Sequence, residues 1–252
     1  MTALERHLRK WMEKAIADFA LISAGDGVAV GVSGGKDSLT LLHLLAGPLI
    51  HAPSGFRLVA LHVDAGIPGA NPDGLVDHFK SIGVDYEIIE ATDIFEKSQN
   101  ADSKKRPCFV CSRLRRQALA NAAHRLGCGK IALAHHRDDA VETFMMNVCF
   151  NREVSTMLPI QPLFGGAIGV IRPLYYIREN KIAMFSKQAA LPVLKHRCPT
   201  EDVSRRRIMK NMLREMETVD PHVNESIFRS MFRIKSDYLP APMEKLELPK
   251  DF

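Results

Sequence analysis

The chain has 252 residues, 46% of them hydrophobic, and a formal net charge of +5. Such a length and apolar share fit one large domain with a small appendage and exclude a disordered or fibrous chain. No apolar run reaches the roughly 18 residues of a membrane-spanning helix, and the charged start Met1–Trp11 is unlike a secretory signal. A cytoplasmic protein with no membrane partner is therefore expected, its five cysteines used chemically rather than as disulfides.

Apolar spacing predicts a first helix over 3–23, with Trp11 suited to a homodimer contact or to covering the core. A buried strand over 28–32 then runs into the turn Ser33-Gly34-Gly35-Lys36-Asp37-Ser38, and a helix follows over 37–46. Two glycines let backbone approach a ligand closely. The following helix turns its unpaired N–H groups and positive dipole end toward the turn, which favours phosphate. Lys36 adds a mobile cation, and Asp37 a carboxylate suited to Mg²⁺. The run is not a Walker A loop, because Lys36 is followed by Asp37 and position 30 is Val. The plainer alternative is a glycine turn in which Asp37 or Ser38 caps the helix.

Further strands are predicted near 57–63, 84–89 and 130–135, with helices near 73–82, 109–126 and 138–149. This alternation predicts an α/β fold with a doubly wound parallel sheet. Ligands in such folds bind at the carboxyl ends of strands. The glycine turn, His62–Asp64 and Ala134–Asp139 should therefore line one crevice. Gly165–Pro173 suggests a hairpin or closing strand, and three helices fill about 178–240, broken by Pro192, Pro199 and Pro221. The expected organisation is an N-terminal helix (1–23), a nucleotide-binding domain (24–175), a helical C-terminal region (176–240) and a loose tail (241–252).

Two further constellations carry chemistry. Cys108 and Cys111 form a C-x-x-C pair, and Cys198-Pro199 lies far downstream. Three thiolates can hold three irons of a [4Fe–4S] cluster and leave the fourth open. Zinc with His196 or His124 as fourth ligand, and a redox or persulfide pair, remain open as alternatives. Cys128 and Cys149 read as buried structural thiols. Lys104, Lys105, Arg106, Arg113, Arg115 and Arg116 flank the pair, while Arg205, Arg206, Arg207, Lys210 and Arg214 follow Cys198. Both clusters suit a phosphate-rich partner such as RNA, a solvated helix face being the plainer reading. In His135-His-Arg-Asp138-Asp139, a carboxylate could hold Mg²⁺ or orient a substrate, unless Asp138 or Asp139 merely caps the helix.

The hexapeptide 33–38 resembles the PP-loop of the ATP pyrophosphatase superfamily. With Cys108-Phe-Val-Cys-Ser-Arg-Leu-Arg-Arg116, Lys130–Asp139, Ile171-Arg-Pro-Leu174 and Asp220-Pro221, nearly the whole chain is similar to the TtcA family, the tRNA 2-thiocytidine synthetases. Where that family often has a second C-x-x-C, this chain has Lys195-His-Arg-Cys198-Pro199. The resemblance implies an adenine nucleotide alpha hydrolase-like fold with ATP, Mg²⁺ and a [4Fe–4S] cluster as cofactors. It implies cluster ligands Cys108, Cys111 and Cys198, and nucleotide contacts from Ser33 to Ser38 and from His62, Asp64 and His135. It implies catalytic roles for Lys36, Asp37 and Asp138, with Asp37 on Mg²⁺. The implied reaction adenylylates a pyrimidine carbonyl of tRNA, at C2 of an anticodon-loop cytidine, and replaces its oxygen with sulfur. A cysteine desulfurase or free sulfide would supply that sulfur. A PP-loop enzyme acting on another tRNA position or on a small molecule is the nearest alternative. A nucleotide-binding iron–sulfur sensor without turnover is the alternative from another class, and a lysidine synthetase would have no use for three cysteines.

Overall fold

The structure, a computed structural model, describes residues 1–49, 53, 55–68, 71–100, 107–194 and 205–239. His196, Cys198, the cations Lys104, Lys105 and Arg106, and the expected tail 241–252 lie outside the described residues, as does the side chain of Cys108.

Strands β1 (Gly27–Gly31), β2 (Arg57–Asp64), β3 (Asp85–Glu90), β4 (Lys130–Ala132), β5 (Ile160–Leu163) and β6 (Ile168–Ile171) form one sheet in the order β3-β2-β1-β4-β6-β5. Every pairing is parallel except β5 with β6, an antiparallel hairpin at the edge. The expected parallel sheet and the closing hairpin are thus both present. The chain moves outward from β1 to β3 and then returns to β4 on the other side of β1. That reversal opens a crevice beyond the carboxyl ends of β1 and β4, where doubly wound folds bind ligands.

Alternate strand residues face opposite layers. Val28, Val30 and Ala60 pack with helices α1 (Ala3–Asp18), α2 (Lys36–Ala46) and α7 (Glu179–Gln188), through Leu8, Met12, Leu41 and Phe185. Ala29, Val59 and Leu61 face the other way, onto Ala120 and Ala123 of α5 (Pro107–Arg125). Burial on both faces explains why these strands read as continuous apolar runs. Helix α1 stops at Asp18 rather than at 23. Ala20 takes a left-handed φ of 49°, and this sends Leu21 and Ile22 into the core. The buried Arg9 reaches from α1 to the carbonyls of His43 and Leu44, satisfying the end of α2.

Two short helices, α3 (Asp73–Ser81) and α4 (Ile94–Gln99), flank β3; the second is not anticipated by the sequence patterns. Helix α6 (Arg137–Met146) continues into a π turn, Asn147–Asn151, that ends on Arg152 at φ 60°. The turn exposes Cys149, which corrects its expected burial; Cys128 is buried as expected. The added π residue rotates the apolar run away from the core side. Helices α8 (Arg205–Val219) and α9 (Val223–Ser230) pack against α6 and each other. No helix among the described residues is long and apolar enough to cross a membrane.

Candidate active site at the carboxyl edge of the sheet

The turn after β1 is built as an anion cradle. Val32 N–H bonds the Leu61 carbonyl at 2.8 Å, continuing the ladder to the last residue before the turn. Ser38 Oγ accepts Ser33 N–H at 3.1 Å and donates to the Gly35 carbonyl at 3.0 Å, stapling the loop shut. The N-cap of α2 is Gly35, and no side chain caps the helix. Asp37 and Ser38 therefore lie in the first turn and are not the cap, and first-turn amides keep their affinity for an anion. Gly34 has φ 82°, and a Cβ there would lie 2.5 Å from Cδ1 of Leu194. Leu194 N–H also bonds the Gly34 carbonyl at 3.0 Å, so the segment after α7 lies against the loop.

Lys36 Nζ sits 3.0 Å from Asp37 Oδ2 and 3.1 Å from Glu179 Oε1. Burial works against its charge, but the two carboxylates outweigh that and raise its pKa. The other oxygen of Asp37, Oδ1, is buried without a hydrogen-bond partner and lies 4.0 Å from His136 Nε2. An orphaned carboxylate oxygen beside an anion cradle is a fitting ligand for the Mg²⁺ that accompanies a nucleotide.

The strand-end residues fall into place around this loop. His62 is buried, its Nδ1 2.7 Å from the Val32 carbonyl, so it braces the strand beneath the turn. Asp64 accepts Gly66 N–H at 3.0 Å. His136, not an aspartate, is the N-cap of α6: its Nδ1 accepts Asp139 N–H at 3.4 Å while Asp139 accepts His136 N–H at 3.0 Å. This sets aside the plainer alternative of an aspartate cap, and the reciprocal pair is a capping box with imidazole in place of a hydroxyl. Asp138 is committed to protein partners. It accepts from Arg178 Nε at 3.0 Å, Glu179 N–H at 2.8 Å and Asn224 Nδ2 at 3.3 Å, locking the start of α7 to α6.

His135 accepts a 3.3 Å hydrogen bond from Arg172 Nε on its Nδ1, which fixes the neutral ring. Burial pushes its pKa from 6.5 down to about 4; the cations of Arg172 and Arg206 add to this and Asp139 opposes it. One turn along α6, burial pushes Glu142 up from 4.5 to about 7 against the pull of Lys210 and Arg206. The two shifts bear on stability with opposite signs. Between about pH 4.5 and 6.5 the unfolded chain protonates His135 where the folded chain does not, so this term grows with pH. Over the same window the folded chain keeps a proton on Glu142 that the unfolded chain loses, so this term falls with pH. Relative to the unaltered chain, Glu142→Gln should therefore steepen the rise of stability with pH and His135→Gln should flatten it, by up to about 2 kcal/mol each; His43 and His78, whose pKa values burial also lowers, supply a rise that both variants keep. Urea midpoints at about pH 5 and pH 6.5 read the slopes, and a change of the same sign in the two variants would contradict the assignment.

Cys111 lies in the second turn of α5, half-buried against Val63, Ala65 and Ile94. The start of α5 thus stands beside the carboxyl end of β2, on the same edge of the sheet as the glycine turn. His124 is in the last turn of the same helix, roughly 20 Å farther at about 1.5 Å per residue. That distance removes it as a partner of Cys111 in a zinc site. Among the described residues no three His, Cys, Asp or Glu side chains come together as a metal site. The donor chemistry of three cysteines suits an iron–sulfur cluster, and the apolar wall around Cys111 suits a group shielded from water.

The basic clusters divide. Arg113 and Arg116 are exposed on α5, and Arg205, Arg207 and Arg214 on α8. Arg206 turns inward to Asp139 at 3.1 Å, and Lys210 to Glu179 at 2.6 Å, so two cations expected on the surface belong to the site. Glu179 and Glu142 are the site residues that the sequence patterns did not single out.

The PP-loop domain model matches residues 2–216. The tRNA-cytidine(32) 2-sulfurtransferase of Pelobacter propionicus is 41% identical over 94% of this chain and 88% of its own length. The Geobacter sulfurreducens protein of the same name is 39% identical over 93% of this chain and 92% of its own. Among solved structures, the U34-tRNA thiolase NcsA from Methanococcus maripaludis, determined with its [4Fe-4S] cluster, superposes with a TM-score of 0.74. It is 24% identical and covers 96% of this chain and 81% of its own, a likeness of fold.

Proposed function

We propose, because the chain belongs to the PP-loop domain family and to its tRNA-cytidine 2-sulfurtransferase branch, that it carries out ATP-dependent thiolation of tRNA at C2 of cytidine 32. The observation that carries this reading is the uncapped glycine turn with Lys36 and the orphaned Asp37 oxygen, on the same sheet edge as the Cys111 helix.

A pyrimidine carbonyl oxygen is a poor leaving group. In the proposed first step it attacks the α-phosphate of ATP; the new O–P bond forms as the bond to pyrophosphate breaks. First-turn amides of α2 and Lys36 stabilise charge on the departing pyrophosphate, and Asp37 would hold a Mg²⁺ that adds to this charge stabilisation. The strand ends at His62–Asp64 and Ala134–His135 flank the adenosine side. A neutral His135 offers its Nε2–H as a donor at any pH above about 4. Asp138 serves as a positioning residue, fixing the start of α7 and with it Glu179. In the second step sulfide, as HS⁻, adds at C2; the C–O bond breaks as AMP leaves with the original oxygen, and the proton of HS⁻ goes to solvent.

Cys108, Cys111 and Cys198 would hold the cluster; three thiolates leave one iron free, and that iron supplies a place to carry sulfide when the group is bound. A cysteine desulfurase or free sulfide is the source of sulfur in this reading, and the cytoplasm its place of action. Exposed Arg113, Arg116, Arg205 and Arg207 suit the tRNA backbone. The target base must be unpaired or flipped, because a stacked, paired carbonyl is out of reach. Trp11, which meets Tyr176 edge-on at 6.1 Å, is left partly exposed for a homodimer contact.

Mass spectrometry of tRNA nucleosides tests the reading in cells. Deleting the protein should remove 2-thiocytidine from tRNA; an unchanged 2-thiocytidine level would contradict the assignment.

A further inference from the structure

Glu179 opens α7, and its two carboxylate oxygens go to different lysines. Oε1 lies 3.1 Å from Nζ of Lys36 in the PP-loop, and Oε2 lies 2.6 Å from Nζ of Lys210 on α8. Its backbone is held in place. The Glu179 N–H donates to Asp138 at 2.8 Å, and the neighbouring Arg178 is bonded to the same carboxylate and to Glu217. Only the side chain is left to exchange partners.

Burial disfavours the charge on Glu179, yet Lys210 and Lys36 outweigh it and hold the carboxyl at about 2, so it is an anion at every working pH. An ammonium has three N–H groups. Asp37 and Glu179 already engage Lys36 where a triphosphate would need it. A triphosphate carries more charge than one carboxylate and arrives on a loop whose amides are shaped for it.

We propose that Glu179 is a positioning residue that stands in for a phosphate on Lys36 until the nucleotide arrives, and is then drawn onto Lys210. The inference rests on the reading of residues 33–38 as the nucleotide site. It assigns Lys210 a role distinct from binding phosphate or RNA: Lys210 sets how strongly Glu179 competes with ATP. While Lys210 is present the carboxylate divides between two cations. Without it the full charge of Glu179 falls on Lys36.

The two residues should therefore be epistatic with opposite signs. Equilibrium binding of MgATP to the full chain without tRNA, with thermal melting in parallel, is the test. Glu179→Gln is expected to tighten MgATP binding by about 3–10-fold, and Lys210→Met to weaken it by about 3-fold. The double variant should bind within about 2-fold of Glu179→Gln alone, because Lys210 acts only through the carboxylate. Glu179→Ala provides the same comparison if the glutamine variant melts below assay temperature. Unchanged or weaker binding by both Glu179 variants would overturn the proposal. A Lys210→Met penalty of equal size in the Glu179→Gln background would also overturn it, since Lys210 would then touch the nucleotide itself. If the unaltered chain binds no MgATP, it is the nucleotide reading of the PP-loop that fails.

Discussion

Replacing Lys36 with alanine is expected to slow ATP-dependent thiolation by about two to three orders of magnitude, the usual cost of removing one preorganised charge from a developing anion. Lys36 is the one side-chain cation within the loop 33–38. Its removal also leaves Asp37 and Glu179 facing each other without the ammonium that now joins them. Two carboxylates without their cation repel the phosphates, so KM for ATP should rise as kcat falls. Lys36→Arg keeps the charge but spreads it over a planar fork, and should recover only part of the rate. Melting temperature separates this from a folding defect, because Lys36 is half-buried at a loop and not in the core. Retention of more than about a fifth of the rate by Lys36→Ala would remove the lysine from the charge-stabilising role.

Serine at Cys108, Cys111 or Cys198 is expected to abolish cluster binding and thiolation together. A thiolate-to-hydroxyl change removes the soft ligand iron requires. Anaerobically purified protein should carry iron and sulfide with broad visible absorption, and each of the three variants should lose both. Cys149→Ser is the matched control. Cys149 is exposed on the π turn and is not among the residues packed around Cys111, and its variant should keep the iron and the activity. An intact cluster in Cys198→Ser would take that residue out of the ligand set.

Local patterns made much of this molecule readable. The alternation of short apolar runs with helical periods fixes a parallel sheet, and chain order then places the glycine turn and His135 at one edge. Both are signalled by patterns local in sequence, although the strands themselves pair over long separations, as Val28 does with Lys130. Glu179 was out of reach of such reasoning: its partner Lys36 lies 143 residues away, and nothing around Glu179 differs from an ordinary helix start. Lys210 was legible as a cation but not as an inward one, because Arg205, Arg206, Arg207 and Lys210 read alike until α6 and the start of α7 are packed beside them. The cap of α6 was not legible for a chemical reason: aspartate, the plainer alternative, is the common N-cap and histidine is not, yet here imidazole Nδ1 accepts the bond. At Cys149 an apolar neighbourhood suggested burial, and a single π turn rotated it outward.

The fold constrains the order of events at the site. The cradle is held by its own residues, stapled by Ser38 and backed by His62. Preorganisation of this kind lets the loop act on the leaving pyrophosphate without rearranging during the reaction. Arg172 and Asp138 extend it outward, one holding His135 and the other the start of α7. The moving parts are then side chains at the rim, Glu179 foremost.

One ATP is expected to be split between its α and β phosphates for each oxygen replaced by sulfur. The direct test is a single assay of the cluster-loaded protein with tRNA, MgATP and sulfide under anaerobic conditions, counting AMP, pyrophosphate and 2-thiocytidine. Equal amounts of all three are expected, with none formed when tRNA or ATP is left out. ADP and phosphate in place of AMP and pyrophosphate, or 2-thiocytidine formed without ATP, would contradict it.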